Sequence, residues 1–484
     1  MPMAQTAELH EHNHLQHSNR LPLELLAHIF VLCDENTDYE DDKEVPKRYI
    51  QFVAPAVCRH WRKVAHSTTA LWTTIRILKP VPCKRTALYL ARSGSTVPLD
   101  IKIRVMGPQS PGKGDKFQKL QTYVDQTIKT FAFIIKHGGF ASRWKSLDFE
   151  TDIFASCAVA MGLLSKACLS SLESLELAFM GPSDHPDDMR LFRDAYRGKT
   201  KPKLLFSNPP PQLRSIRLEG ILNSHLFDDV LQPQLVGLTD IYISFEGWHP
   251  GVDHIHSMLA ASPRLTKLCF DSGSADPEVG DKTATGVSAS SPVVLSDLVS
   301  LTFMHITYPV WSLSVLKTFK APALQNLELS FWIDPAASQL LVDYISNQLT
   351  QSSPHFPVTL AEMSFFTMMG TNPDPEPLLR AYPNIIKLRT GSLAALLKRP
   401  WLVPNLATLQ AVTQDPLELK NLVIGRCGDS LPLKAVEATW YGNDCALSLD
   451  DKEQLERLVR FTVWDQEPSA EDEGEDNGSQ DHVE

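Results

Sequence analysis

The sequence predicts an α/β chain. A short helical segment comes first, followed by a solenoid with strands on its concave face and helices or loops on its convex face. Three observations predict it. The 484 residues are 43% hydrophobic and 21% charged, a globular composition that supports a large core and excludes wholesale disorder. That length is about three times a typical domain, which points to several domains or a repeat array. One short apolar pattern recurs a dozen times from Trp144 onward, the mark of a stacked architecture.

Residues 1–20 are polar, lack an apolar signal core and carry His10, His12, His14 and His17. A disordered tail is expected there, and secretion is not. The segment 21–78 opens Leu21-Pro22-Leu23-Glu24-Leu25-Leu26. Proline suits the first helical position, where its missing N–H costs nothing, and Glu24 suits the positive end of the helix dipole. Leu25, Leu26, Ile29, Phe30 and Cys33 fall on one broad helical face. The acidic stretch from Asp34 to Glu44 reads as a solvated loop. A second helix is expected to start near Pro55, with Val57, Cys58, Trp61, Val64 and Ala65 on its apolar face. Leu71, Trp72 and Ile75 close the segment. So many large apolar side chains on so few residues need a second surface to pack against, from this chain or from another protein.

Three blocks stand out: Leu21-Pro22-x-Glu24-Leu25-Leu26-x-x-Ile29-Phe30, Val57-Cys58-x-x-Trp61-x-x-Val64-Ala65 and Leu71-Trp72-x-x-Ile75. In this order they resemble an F-box, in particular that of expanded fungal F-box families. The stretch from Asp34 to Ala54 is longer and more acidic than in a compact F-box. The resemblance implies docking on a Skp-type adaptor, and through it on a cullin. It implies Leu21, Pro22, Leu25, Leu26, Ile29, Phe30, Val57, Cys58, Trp61, Leu71 and Trp72 as adaptor-binding candidates. Some of these must instead form the small core between the helices, and the sequence does not divide the two sets.

Residues 79–143 connect this segment to the repeats. Ala87–Gly94 reads as helix, Pro98–Ile103 as turn and strand, and Phe117–His137 as a long amphipathic helix. From 144 to 464 the pattern apolar-x-x-apolar-x-apolar recurs. It is clear in Trp144/Leu147/Phe149, Leu172/Leu175/Leu177, Leu213/Ile216/Leu218, Leu238/Ile241/Ile243 and Leu265/Leu268/Phe270. It continues in Leu298/Leu301/Phe303, Leu324/Leu327/Leu329, Leu360/Met363/Phe365, Ile385/Leu388 and Leu406/Leu409, then more weakly in Leu433/Val436 and Leu458/Phe461/Val463. Pro211, Pro263, Pro322, Pro383 and Pro404 each stand two residues before a copy. Proline cannot donate to a ladder and so marks a strand entry. Between copies, Met189–Tyr196, Val252–Ala261 and Gln339–Leu349 have helical spacing. A strand followed by a helix, repeated, buries its apolar face only by stacking. The pattern is similar to irregular leucine-rich repeats of the F-box type. Asp271–Pro292, rich in Ser, Gly, Ala and Thr, is expected to be a disordered insertion.

Charge and motifs bound the function. The 46 Lys and Arg against 57 Asp and Glu leave −11, and nine of the acidic residues lie in 465–484, read as a disordered acidic tail. No basic footprint for nucleic acid is present, and no apolar window is long enough for a membrane span. Cys33, Cys58, Cys83, Cys157, Cys168, Cys269, Cys427 and Cys445 form no C-x-x-C pair. Reduced thiols in a cytoplasmic and/or nuclear protein are expected. Gly107-Pro108-Gln109-Ser110-Pro111-Gly112-Lys113-Gly114 approaches a phosphate-binding loop, but Gly114 stands where a Ser or Thr must ligate magnesium. No G-x-S-x-G, H-E-x-x-H or G-x-G-x-x-G is present. Catalytic residues, cofactors and metals are therefore not expected. His254 and His256 read as surface residues. Trp248, Trp311 and Trp332 read as core or as anchors for a partner. The expected function is the substrate-recognition subunit of an SCF-type cullin–RING ubiquitin ligase, with an unknown protein substrate on the repeats. The alternative is a leucine-rich-repeat interaction scaffold with no ligase role.

Overall fold

The computed structural model describes residues 21–35, 49–107, 119–181, 185–199, 204–227, 229–247, 249–275, 291–332, 335–347, 354–367, 373–413, 415–440 and 447–464. Contacts divide the chain into two compact units, residues 1–238 and 239–484. Both are α/β, built from parallel strands joined largely by helices, with thirteen α-helices among the described residues.

The first unit begins with helices α1 (Leu23–Glu35), α2 (Ile50–Val57) and α3 (Arg59–Ser67) and a 3₁₀ turn at Thr69–Trp72. The expected helix starting at Pro55 is instead two helices. Pro55 lies inside α2, and α3 starts after Cys58, whose extended backbone breaks the helix and whose Sγ accepts the Trp61 N–H at 3.4 Å. A helix this short forfeits only one internal hydrogen bond to the proline. Asp34, read as part of a solvated loop, is buried: the Gln51 side-chain amide donates to its Oδ1 at 2.6 Å. Residues 59–77 and the helix after them share a core. The Trp72 Nε1 donates to the Ala65 carbonyl at 2.8 Å, and its ring meets that of Tyr89 edge-on at 5.1 Å.

Strand β1 (Thr74–Ile77), helix α4 (Lys84–Arg92), strand β2 (Leu99–Val105), helix α5 (Leu120–Lys136) and strand β3 (Trp144–Thr151) follow. The strict alternation of Leu99-Asp-Ile-Lys-Ile-Arg-Val buries every second side chain. Strands β1, β2 and β3 pair in parallel, so the sheet begins at Thr74, well before the first copy of the repeat at Trp144. The buried Arg143 guanidinium ties three elements together, donating to the Gly138 and Val97 carbonyls and the Ser93 hydroxyl at 2.6, 3.0 and 3.1 Å. Helix α6 (Phe154–Leu164), strand β4 (Ser174–Phe179), helix α7 (Pro186–Tyr196) and strand β5 (Ser215–Leu222) complete the unit. Asp188 of α7 caps α6, accepting the Phe154 and Ala155 N–H groups at 2.7 and 2.9 Å. Two orphan donors of a helix start are thereby satisfied in the interior.

The second unit repeats the device. Its strands are β6 (Asp240–Gly247), β7 (Lys267–Ala275), β9 (Ser300–Ile306), β11 (Asn326–Phe331), β12 (Glu362–Thr367), β13 (Lys387–Thr390), β14 (Thr408–Thr413), β15 (Ala435–Trp440) and β16 (Arg460–Trp464). They lie parallel in that order, while β8 (Val293–Val294) and β10 (Phe319–Lys320) form a separate small pair. The connecting helices are α8 (Val252–Ala260), α9 (Pro309–Leu316), α10 (Pro335–Ser346), α11 (Glu376–Ala381), α12 (Pro416–Gly428) and α13 (Leu449–Leu458). The middle apolar positions of the recurring pattern stand in register: Leu268 opposite Leu301, then Leu327, Met363, Leu388, Leu409, Val436 and Phe461.

The prolines sit earlier than a strand entry. The N–H of Leu213, Leu265, Leu324 and Leu406 each donates to the carbonyl three residues before it, at 3.1 to 3.3 Å. This puts Pro211, Pro263, Pro322 and Pro404 at the second position of a β-turn, where their fixed φ is favourable. The expected insertion also starts later than Asp271. Strand β7 runs on to Ala275 with Asp271 and Ser272 buried, and residues 276–290 lie outside the described ones.

Burial makes His249 pH-sensitive. It packs on Trp311 with ring centroids 4.6 Å apart, and burial pulls its pKa from 6.5 down to about 4. In the unfolded chain the ring takes a proton near pH 6.5; in the folded chain it resists until about pH 4. Its contribution is therefore complete above pH 6.5 and is lost as pH falls, by up to about 3 kcal/mol. Thermal unfolding of wild type and His249→Phe between pH 7 and 4.5 checks this: the stability difference between them should narrow or invert toward acid.

Candidate functional site

Two surfaces carry the candidates. The first lies on α1 and α2. Helix α1 packs on α2 and α3, and this packing divides the predicted set. Leu26, Phe30, Leu71 and Trp72 are each 1% exposed and belong to the core. Leu25, Ile29 and Val57 are 52%, 41% and 54% exposed, and Pro22 is exposed too. Leu21, Cys58 and Trp61 are half-buried, and the Trp61 ring lies 5.1 Å from that of Phe30. The expected single apolar face of α1 is thus two adjacent stripes, with Leu26 and Phe30 inward and Leu25 and Ile29 outward. Leu32, Phe52 and Val53 are also exposed, between 40% and 41%. Sequence reading missed the last two because the second helix was expected to start only near Pro55, after both of them. The spacing of Val53 and Val57, four apart, is the signal that would have found them.

The second surface is the solvent face of the strands. Pleating sends alternate side chains outward, and the parallel register lines them into rows. In the first unit, one row reads Arg76, Lys102, Asp148, Glu176 and Arg217. Its charges neutralise one another: Lys102 Nζ lies 2.9 Å from Asp148, and Arg217 lies 3.4 Å from Glu176. Burial, and next to it the Asp148 charge, raise the Glu176 pKa.

In the second unit the corresponding row includes Thr302, Glu328, Ser364, Arg389, Gln410 and Glu437. A shallow pocket of about 280 Å³ opens over it, and Ser364 contributes to the lining between Glu328 and Arg389. Arg389 rests on the Phe366 ring at 4.2 Å. At the ends of β6, β7 and β9, Asp271 accepts the His305 Nδ1–H and the Gly273 N–H, each at 2.9 Å, and Tyr242 approaches at 3.4 Å. Drawn this way, His305 carries its proton on Nδ1. It occupies left-handed backbone at φ 47° beside the exposed Trp332, 5.5 Å between rings.

Of the other predicted residues, Trp311 is core, donating to the Pro250 carbonyl at 2.8 Å. His254 and His256 lie on α8, half-buried. Trp248, the N-terminal histidines, Cys445, the acidic tail and the loop 108–114 lie outside the described residues. Among the described residues no group of three or more His, Cys, Asp or Glu is placed to hold a metal, and no helix is long and apolar enough to cross a membrane. No family model matches the chain, and no curated protein matches it.

Proposed function

We propose that the chain is the substrate-recognition subunit of an SCF-type cullin–RING ubiquitin ligase. In this reading α1–α3 are an F-box that docks a Skp-type adaptor, and the strands form the concave face of an irregular leucine-rich-repeat solenoid that holds a protein substrate. The chain performs no bond chemistry; it raises the local concentration of substrate at the ligase. The observation that carries the reading is the outward apolar side chains, Leu25 and Ile29 on α1 and Val53 and Val57 on α2, on helices that already pack on one another. Apolar side chains displayed on helices this short are the anatomy of a partner surface. The resemblance of the three sequence blocks names the partner class, and the ladder of in-register apolar positions supports the repeat reading.

Co-purification of the full-length chain with the Skp-type adaptor tests it. A stoichiometric complex is expected with wild type and none with Leu25→Asp combined with Val57→Asp, two changes on exposed positions. A folded wild type that captures no adaptor would overturn the ligase reading and leave an interaction scaffold.

A further inference from the structure

The two strand faces differ in how their charges are spent. In the first unit, opposite charges on neighbouring strands close on each other, as Lys102 with Asp148 and Arg217 with Glu176 show. In the second unit two other charges of the pocket are likewise satisfied, Lys387 lying 3.7 Å from Glu362, and on the next strand Glu437 accepts from the Gln410 amide at 2.8 Å. Glu328 and Arg389 are the exception. They stand in one row, separated by Ser364 on the strand between them. Strands are spaced about 4.8 Å apart, so their backbones are about 10 Å apart. Neither makes an ion pair within the described residues. The Arg389 guanidinium lies over the face of Phe366 at 4.2 Å and makes no hydrogen bond to an acceptor among the described residues. The Ser364 hydroxyl between them is enclosed and has no hydrogen-bond partner. A small side chain flanked by two unlike, uncommitted charges forms a slot with a positive and a negative wall.

We propose that this slot binds an extended peptide crossing the strands, with one acidic and one basic side chain two residues apart, the acidic one on Arg389 and the basic one on Glu328. In an extended chain such side chains leave the same face about 7 Å apart. Their own length covers the remaining distance to the two walls. Each contact is a charge-assisted hydrogen bond to a group that makes no ion pair among the described residues, so binding breaks none of those present there. Opposite walls also reject peptides of a single charge sign, which gives the site its selectivity. The inference rests on the reading of the strand face as a recognition surface, but not on adaptor docking.

The test uses the full-length chain and labelled peptides of about seven residues with the centres Glu-Val-Lys, Lys-Val-Glu, Glu-Val-Glu and Lys-Val-Lys, followed by fluorescence anisotropy at low salt. One of the two mixed peptides should bind wild type about tenfold or more tighter than either single-sign peptide. Arg389→Glu should transfer the preference to Lys-Val-Lys, and Glu328→Lys to Glu-Val-Glu. The double exchange should reverse which mixed order is favoured, a switch that a merely structural role does not produce. Equal binding of all four peptides, binding of none, or variants that weaken all four alike would overturn the proposal. Adaptor co-purification on the same variants separates the two readings: its failure would strike the ligase role and leave the peptide result standing.

Discussion

Trp72→Ala should destabilise the first unit by about 3–5 kcal/mol, the usual range for deleting a buried tryptophan. The ring is 1% exposed, stacks edge-on against Tyr89 and lies under the Arg92 guanidinium at 4.5 Å. Its N–H is satisfied inside by the Ala65 carbonyl. The substitution therefore removes the joint between α3 and α4 as well as apolar volume. Leu25→Asp, at a position 52% exposed, should change stability by no more than about 0.5 kcal/mol. Denaturant unfolding followed by tryptophan fluorescence checks both. A Trp72→Ala protein as stable as wild type would mean that this ring is not part of the core. The same pair of variants resolves an ambiguity within the proposed adaptor-binding set. Loss of adaptor with Leu25→Asp at full stability locates contact; loss with Trp72→Ala reports only unfolding.

Arg426→Met should cost the second unit on the order of 3 kcal/mol. Arg426 on α12 is 1% exposed and has no carboxylate partner among the described residues. Its guanidinium instead donates to the carbonyls of Leu431, Val403, Pro404 and Leu406, at 3.1 to 3.4 Å. Three of those carbonyls belong to the turn that leads into β14, so one side chain holds helix to turn. Burial lowers its pKa, with the nearby Arg399 adding to the effect, yet a guanidinium remains charged at neutral pH. Methionine fills the space but leaves several acceptors without donors, each worth about 1–3 kcal/mol when dry. Arg426→Lys should recover only part of the loss, because one ammonium lacks the planar fork that reaches several carbonyls. Thermal unfolding of the three proteins at pH 7 should rank wild type above Lys above Met. Equal midpoints would show that water satisfies these carbonyls instead.

Most of the strands were legible in the sequence because they depend on short-range rules. A period of two aims Leu327 and Leu329 inward, and in four copies a turn proline precedes the strand. The stacking of identical short patterns then leaves one register that buries every apolar position. Helix α2 was not legible. Ile50–Ala54 follow an acidic run and precede a proline, and what holds them is Gln51 reaching Asp34, 17 positions before it, and the Leu71 carbonyl, 20 positions after it.

Most of the functional surface was decided only by the tertiary structure. The sequence placed Leu25, Leu26, Ile29 and Phe30 on one helical face, and the packing of α2 and α3 chose which of them remain outside. Charges on the strand faces pair or stay free according to neighbours some 25 to 60 positions away, as Lys102 with Asp148 and the unspent Glu328 and Arg389 show. Local periodicity fixes the direction of a side chain. Its burial and its partner are set by what the rest of the chain brings to it.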